Sequence, residues 1–381
     1  MQRTSSERTS SDHTSTRSVP PSPGASGRRP ELGVDELARA FGIADLPERL
    51  AAVDRCIAET LGADDALLGP ASLRVASTGG KRLRPLLAIV AAELGGVFDE
   101  RVVAAAASVE LVQVGSLVHD DILDRAATRR GRPTINALEG VDHAVLAGDY
   151  ILARAAELAA SVSREAAAQI AAALGALCEG QALEMRDTFD AGRSVEAHLR
   201  SVRGKTAALF SCACQLGAGC GGVSERNAEA LAAYGEAFGM GFQVLDDVLD
   251  LIGDADRLGK PTALDVASGV YTLPVLAALG GPHGDELRRL LPGPAGEGAT
   301  NGAGGLGAAE RAVAFVRESG TVPVALEAMD RYADEARRAV AHLDQTAIGD
   351  GLISFPRTYS TWALESFMDP RFLEVPLTAL G

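Results

Sequence analysis

The residues whose types and spacing could do chemistry are two triplets of aspartate. Asp120, Asp121 and Asp124 close one apolar run, and Asp246, Asp247 and Asp250 close another. On a helix, residues four apart stack and residues three apart lie side by side. Each triplet therefore crowds three carboxylates at the end of an apolar helix, where like charges repel and desolvation raises their pKa. One such cluster is weak evidence. Two copies, trailed by Arg129 with Arg130 and by Lys260 respectively, argue for a site rather than two solvated faces.

Carboxylates without a completing set of His or Cys suit a hard, oxygen-seeking cation such as Mg²⁺. His119 adjoins the first triplet, but further His or Cys at zinc spacing are missing. The complementary half is cationic: Lys81, Arg84, Arg129, Arg130, Lys205 and Lys260 suit phosphate. Gly79 and Gly80 form a sharp turn before Lys81, Arg82 and Arg84, with Pro85 where a helix could begin, so this basic cluster opens a strongly apolar helix. Lys205 and Thr206 fall inside another apolar helix, where a lysine needs an anionic partner. Gln181 and Glu184 are polar interruptions of a third apolar face. Together these residues imply a diphosphate held between two facing helices through bridging metals. GGKRLRP lacks the spacing of a nucleotide-binding P-loop.

The elements that must position this chemistry read as helices. The 381 residues are rich in Ala and Leu and poor in aromatics, and no convincing strand stands out. Residues 1–32 are rich in Ser, Thr, Arg and Pro and read as a disordered tail. Residues 33–381 read as one large helical domain with a loop-like insert at about 281–308, rich in Gly and Pro and holding one short helix. A net charge of −15 argues against nucleic acid as a partner. No apolar run reaches the roughly 20 residues of a transmembrane helix. The five cysteines, none in C-x-x-C spacing, read as small core hydrophobes in a reducing, cytoplasmic setting.

The chain closely resembles a trans-isoprenyl diphosphate synthase of the polyprenyl synthetase family. GGKRLRP, DDILDRAATRRGRPT, LAGDY, GKTAALF, FQVLDDVLD and LGKP carry the resemblance, in family order, over about residues 46–343. It implies an all-α antiparallel bundle around a deep central cavity, a homodimer, and about three Mg²⁺ ions. It implies that Asp120, Asp124 and Asp246 ligate metal, with Asp121, Asp247 and Asp250 assisting. Lys81, Arg84 and Arg130 match the isopentenyl diphosphate site, where Gln113 stands in for a frequent His. Arg129, Lys205 and Lys260 match the grip on the allylic diphosphate, and Gln243 and Thr206 face that diphosphate and the carbocation. The implied reaction is ionisation, condensation and proton loss.

Two departures and one opening qualify the match. After LGKP, residues 265–270 read DVASGV, so a common lysine and an acidic residue are missing, and the basic C-terminus of many members is absent. Gly115 and Ser116 occupy positions where short-chain relatives carry aromatics, and Val112 lies one turn deeper. The open wall from Asp120 to Val112 runs on the order of 12 Å. The product expected is therefore C20 or longer, a polyprenyl diphosphate for a quinone side chain. Geranylgeranyl diphosphate is the alternative if another helix, with Tyr150 a candidate, supplies a floor. A class I terpene cyclase and a non-catalytic subunit of a two-component synthase are remoter readings.

Overall fold

The computed structural model describes residues 32–62, 67–258, 260–293, 303–343 and 345–373. Nearly all of the tail expected at 1–32, and residues 294–302 of the expected insert, lie outside them. The described residues are helical almost throughout. The long helices are Leu46–Gly62, Glu100–Leu123, Val141–Val162, Arg164–Arg186, Glu225–Ile252, Val322–Ala339 and Ala347–Phe367. Their starts follow local chemistry. Asp99 accepts from the N–H groups of Arg101 and Val102, and Ser163, Ser194, Ser224 and Thr346 cap later helices in the same manner.

The two aspartate helices are the centre of the bundle. Glu100–Leu123 packs along Val141–Val162, and Glu225–Ile252 packs along Val322–Ala339 and Ala208–Gly221. Ala208–Gly221 also lies against Leu83–Glu93, so it joins the two halves. That junction is unusually close because small residues face each other. A side chain at Gly217 would come within 2.0 Å of the Ala88 carbonyl, which is backbone and cannot turn away. Gly217→Val is therefore expected to destabilise the fold by about 1–3 kcal/mol or more, read as a lowered urea midpoint with an unchanged slope.

Several expectations from the sequence need correction. A two-stranded antiparallel ribbon pairs Thr128 with Pro133 and Arg129 with Arg132, where no strand was expected. A helix, Ala303–Glu318, begins inside the expected insert, beside the short Gly284–Leu290 helix. Glu100–Leu123 is long and apolar enough to cross a membrane by length and composition, contrary to the hydropathy reading. Its most apolar window is 72% buried in the protein, which makes it a core helix. The cysteines are unpaired, as expected, and Cys56 packs half-buried against the core, but Cys178 is exposed and is not a core residue.

Candidate active site

Both triplets occupy the C-terminal ends of their helices. Asp120 and Asp121 lie in the last turn of Glu100–Leu123 and Asp124 is its C-cap. Asp246, Asp247 and Asp250 lie in the last two turns of Glu225–Ile252. The negative end of a helix disfavours carboxylates there, so the arrangement requires cations. Burial pushes Asp120 above the usual carboxylate range, with Lys205 pulling the other way. Burial likewise raises Asp121, against the pull of Arg129, and pushes Asp250 up to about 6.

The cations are delivered from four separate stretches. Arg129, on the short ribbon, donates from Nε to Asp121 Oδ1 at 2.6 Å. Lys205 donates to Glu184 Oε1 at 2.6 Å. Burial alone would lower Lys205, but Glu184 and Asp120 outweigh it and hold the ammonium above its ordinary value. Lys260 lies 3.8 Å from Asp246, whose charge raises it, and it also feels Arg129 beside the first triplet. Arg130 sits against Gly80, where an added side chain would meet its Nη1 at 2.8 Å. The GGKRLRP turn and the RRG ribbon are therefore in contact.

Lys81 connects these groups. It reaches solvent, yet the protein around it pulls the ammonium down to about 8; Asp246 opposes the shift, while Arg130 and Lys260 add to it. Its Nζ donates to the Tyr359 hydroxyl at 2.8 Å and lies 5.1–5.3 Å from the rings of Tyr359, Trp362 and Phe367. Arg84 is placed differently. It is withdrawn over the Phe210 ring at 4.2 Å, and burial lowers it to about 10. Arg82, between them, is structural: it pairs with Glu110 at 2.6 Å and Asp54 at 3.0 Å in a left-handed backbone conformation (φ 47°).

Lys205 and Thr206 do not sit in a regular helix. They lie in a π-helical turn, Arg203–Ala207, between Val195–Val202 and Ala208–Gly221. Such turns offset side chains from the α-helical register and recur at functional sites. The turn presses on Gly180, where a side chain would come within 2.2 Å of the Lys205 backbone nitrogen. Thr206 Oγ1 donates to Gln243 Oε1 at 2.9 Å, and Gln243 Nε2 donates to Asp247 Oδ1 at 3.0 Å. The Leu264 and Asp265 N–H groups bind the two oxygens of Asp250, fixing it against the following loop.

The remaining sequence candidates lie below the first triplet. Counting 100° per residue, Ser116, Gln113 and Val112 lie within a quarter-turn of Asp120 around the helix. Gly115 faces elsewhere: a side chain there would meet Leu152 of Val141–Val162 at 2.9 Å and the Gly148 carbonyl at 3.3 Å. Ser116 is buried and its hydroxyl bonds back to the Gln113 carbonyl at 2.9 Å. Tyr150 directs its hydroxyl at the Leu61 carbonyl, 3.5 Å away, with its ring beside Arg154.

Three residues in contact with the candidates were not assigned from the sequence. Glu184 was visible as a polar break in an apolar helix, but its bond to Lys205 was not. Tyr359, with the adjoining aromatics, holds Lys81 from a helix 278 residues away in sequence. His198, 2% exposed, lies 3.1 Å from Asp247 and gave no signal beyond its place on a short helix.

A sequence model of the family described as Polyprenyl synthetase matches residues 66–293. The chain belongs to the polyprenyl synthetase family. It is an enzyme, a prenyl diphosphate synthase, and hence a transferase. It is 35% identical over 314 residues to the nonaprenyl diphosphate synthase of Mycobacterium tuberculosis, covering 82% of this chain and 91% of that one. It is 39% identical over 235 residues to heptaprenyl diphosphate synthase component 2 of Geobacillus stearothermophilus, covering 61% and 73% respectively. The fold matches a polyprenyl synthase from Caulobacter crescentus, solved with calcium and isoprenyl diphosphate, with a TM-score of 0.76 at 32% identity over 86% of this chain and 98% of that one.

Among the described residues, no three acidic, histidine or cysteine side chains converge tightly enough to hold an ion unaided. Mg²⁺ takes one or two carboxylates and completes its shell with water and phosphate. The all-oxygen donor sets of the two triplets fit Mg²⁺ on chemical grounds.

Proposed function

We propose that the enzyme condenses isopentenyl diphosphate with an allylic diphosphate, using Mg²⁺, to make a trans-polyprenyl diphosphate of C20 or longer, with a quinone side chain as its destination. The observation that carries this reading is the pair of crowded aspartate triplets joined by one set of cations. Asp120, Asp124 and Asp246 would hold Mg²⁺, with Asp121, Asp247 and Asp250 supporting them. The metal, when bound, would neutralise charge on the departing diphosphate. Arg129, Lys205 and Lys260 would grip the allylic diphosphate, and Lys81, Arg84, Arg130 and Gln113 the isopentenyl diphosphate. Thr206 and Gln243 would face the allylic cation, and the apolar wall below Asp120 would keep water from it.

The names of the relatives support a long product, and so does the absence of aromatics along the wall. Ser116 and Val112 are the residues we assign to that wall. Gly115 acts through close packing on Leu152, and Tyr150 turns towards Leu61. The exposed apolar residues Leu138, Val141, Val145 and Leu146 are close in sequence, which suits a homodimer contact there. Five unpaired cysteines suit a reducing cytoplasm.

The deciding experiment incubates the purified protein with isopentenyl diphosphate, an allylic primer and Mg²⁺ and measures product length. Failure to elongate any primer, even at high protein concentration, would favour a subunit that needs a partner. Formation of a cyclic hydrocarbon from the primer alone would favour a terpene cyclase. A pH series adds a second check. Lys81 is cationic below about 8 and loses its charge above it, so the KM for isopentenyl diphosphate is expected to rise as pH passes 8. A KM flat from pH 7 to 9.5 would remove Lys81 from this site.

A further inference from the structure

We propose that His198 is a positioning residue for prenyl transfer: through Asp247 and Gln243 it fixes the direction of the Thr206 hydroxyl. This rests on the reading above, in which Thr206 faces the allylic cation. The geometry supplies a one-directional chain. Asp247 is 2% exposed and its carboxylate can only accept. His198 Nε2 lies 3.1 Å from Asp247 Oδ2, so its proton belongs on Nε2. The other ring nitrogen, Nδ1, is buried without a hydrogen-bond partner among the described residues, a place for a bare lone pair rather than an N–H.

The second oxygen of Asp247 then sets the amide. Gln243 turns Nε2 to Asp247 Oδ1 and is left with Oε1 on the Thr206 side. Thr206 must donate its one proton to that oxygen, so its lone pairs are the part of the hydroxyl free to face positive charge. Reversing any link leaves two donors or two acceptors in opposition. His198 is thus the anchor of the chain, set two helical turns before Lys205 and outside both triplets. Without its N–H, a nearly inaccessible carboxylate loses one of two side-chain donors and competes for the rest. Gln243 and Thr206 then lose their fixed sense. The expected effect falls on the ionisation rate, while the diphosphate grip of Arg129, Lys205 and Lys260 is untouched.

The test compares His198→Leu with His198→Gln in the full-length enzyme, using isopentenyl diphosphate, an allylic primer and Mg²⁺. Leu removes the donor; Gln restores an N–H near the position of Nε2. We expect kcat to fall about 10- to 100-fold for Leu, with both KM values within about twofold of wild type, and Gln to recover most of it. A role in packing alone predicts that Gln fails as Leu does, and an unchanged kcat in Leu, or a change confined to KM, overturns the proposal. A second measurement needs no turnover. Imidazole ¹⁵N spectra of the substrate-free protein, assigned by the signal lost in His198→Gln, should show His198 protonated on Nε2 and bare on Nδ1. The opposite tautomer overturns the relay whatever the kinetics, whereas a wild-type enzyme that makes no prenyl product overturns the functional reading and leaves the tautomer standing.

Discussion

Asp120→Asn is expected to lower kcat/KM for condensation by about 10²- to 10³-fold, the range for removing one stabilising group at a site of developing charge. The change keeps the shape of the side chain and deletes its charge, so the loss measures the electrostatic part of its role. The same substitution should raise the melting temperature of the metal-free protein. The sign follows from linkage. Burial raises the Asp120 carboxyl in the folded protein above its unfolded value, so folding favours the protonated form. Its ionised state at neutral pH therefore costs stability, and that cost is relieved as pH falls through the raised value. Removing the charge removes the cost. Steady-state assays and thermal melts on one preparation check both halves; a loss of activity below about fivefold, or a lowered melting temperature without metal, would contradict the account. Asp121→Asn is a useful contrast. Asp121 is held by Arg129, so its loss frees a cation as well as deleting an anion.

Ser116→Phe is expected to shorten the product, moving the distribution from long chains towards C15–C20. A ring at Ser116 stands one turn below Asp120 on the same side of the helix, along the wall we assign to the growing chain. Gly115→Phe is the less informative change. Its first side-chain atom already meets Leu152 at 2.9 Å and the Gly148 carbonyl at 3.3 Å, so it would separate two core helices before it shaped any product. Product analysis by reversed-phase chromatography after enzymatic dephosphorylation decides the matter. An unchanged length distribution from a folded, active Ser116→Phe enzyme would move the wall to another helix.

These expectations show which parts of the molecule were legible from residues alone. The triplets were legible because i, i+1, i+4 spacing on a helix is local geometry. The cations were legible as a set, since charges inside an acidic chain stand out. What could not be read depended on contacts distant in sequence. The π-helical turn at Arg203–Ala207 is pressed against Gly180 by packing, and nothing in RGKTA announces it. The withdrawal of Arg84 over Phe210, and of Lys81 towards Tyr359, depends on helices far along the chain. The ribbon at Thr128–Pro133 was hidden because two residues per strand leave no alternation to detect. Cys178 was misjudged because cysteine type alone suggested burial, although Glu179 and Gln181 beside it on the helix mark a polar face.

The bond between Lys205 and Glu184 has a consequence for selectivity. Glu184 already offers this ammonium a carboxylate at 2.6 Å, so an anion bound there as proposed would enter as a competitor. Coulomb attraction scales with charge, which lets a diphosphate displace Glu184 where a singly charged ester does not. On the proposed reading the pair would act as a threshold, sorting ligands by the charge they carry before any contact with their hydrocarbon chain.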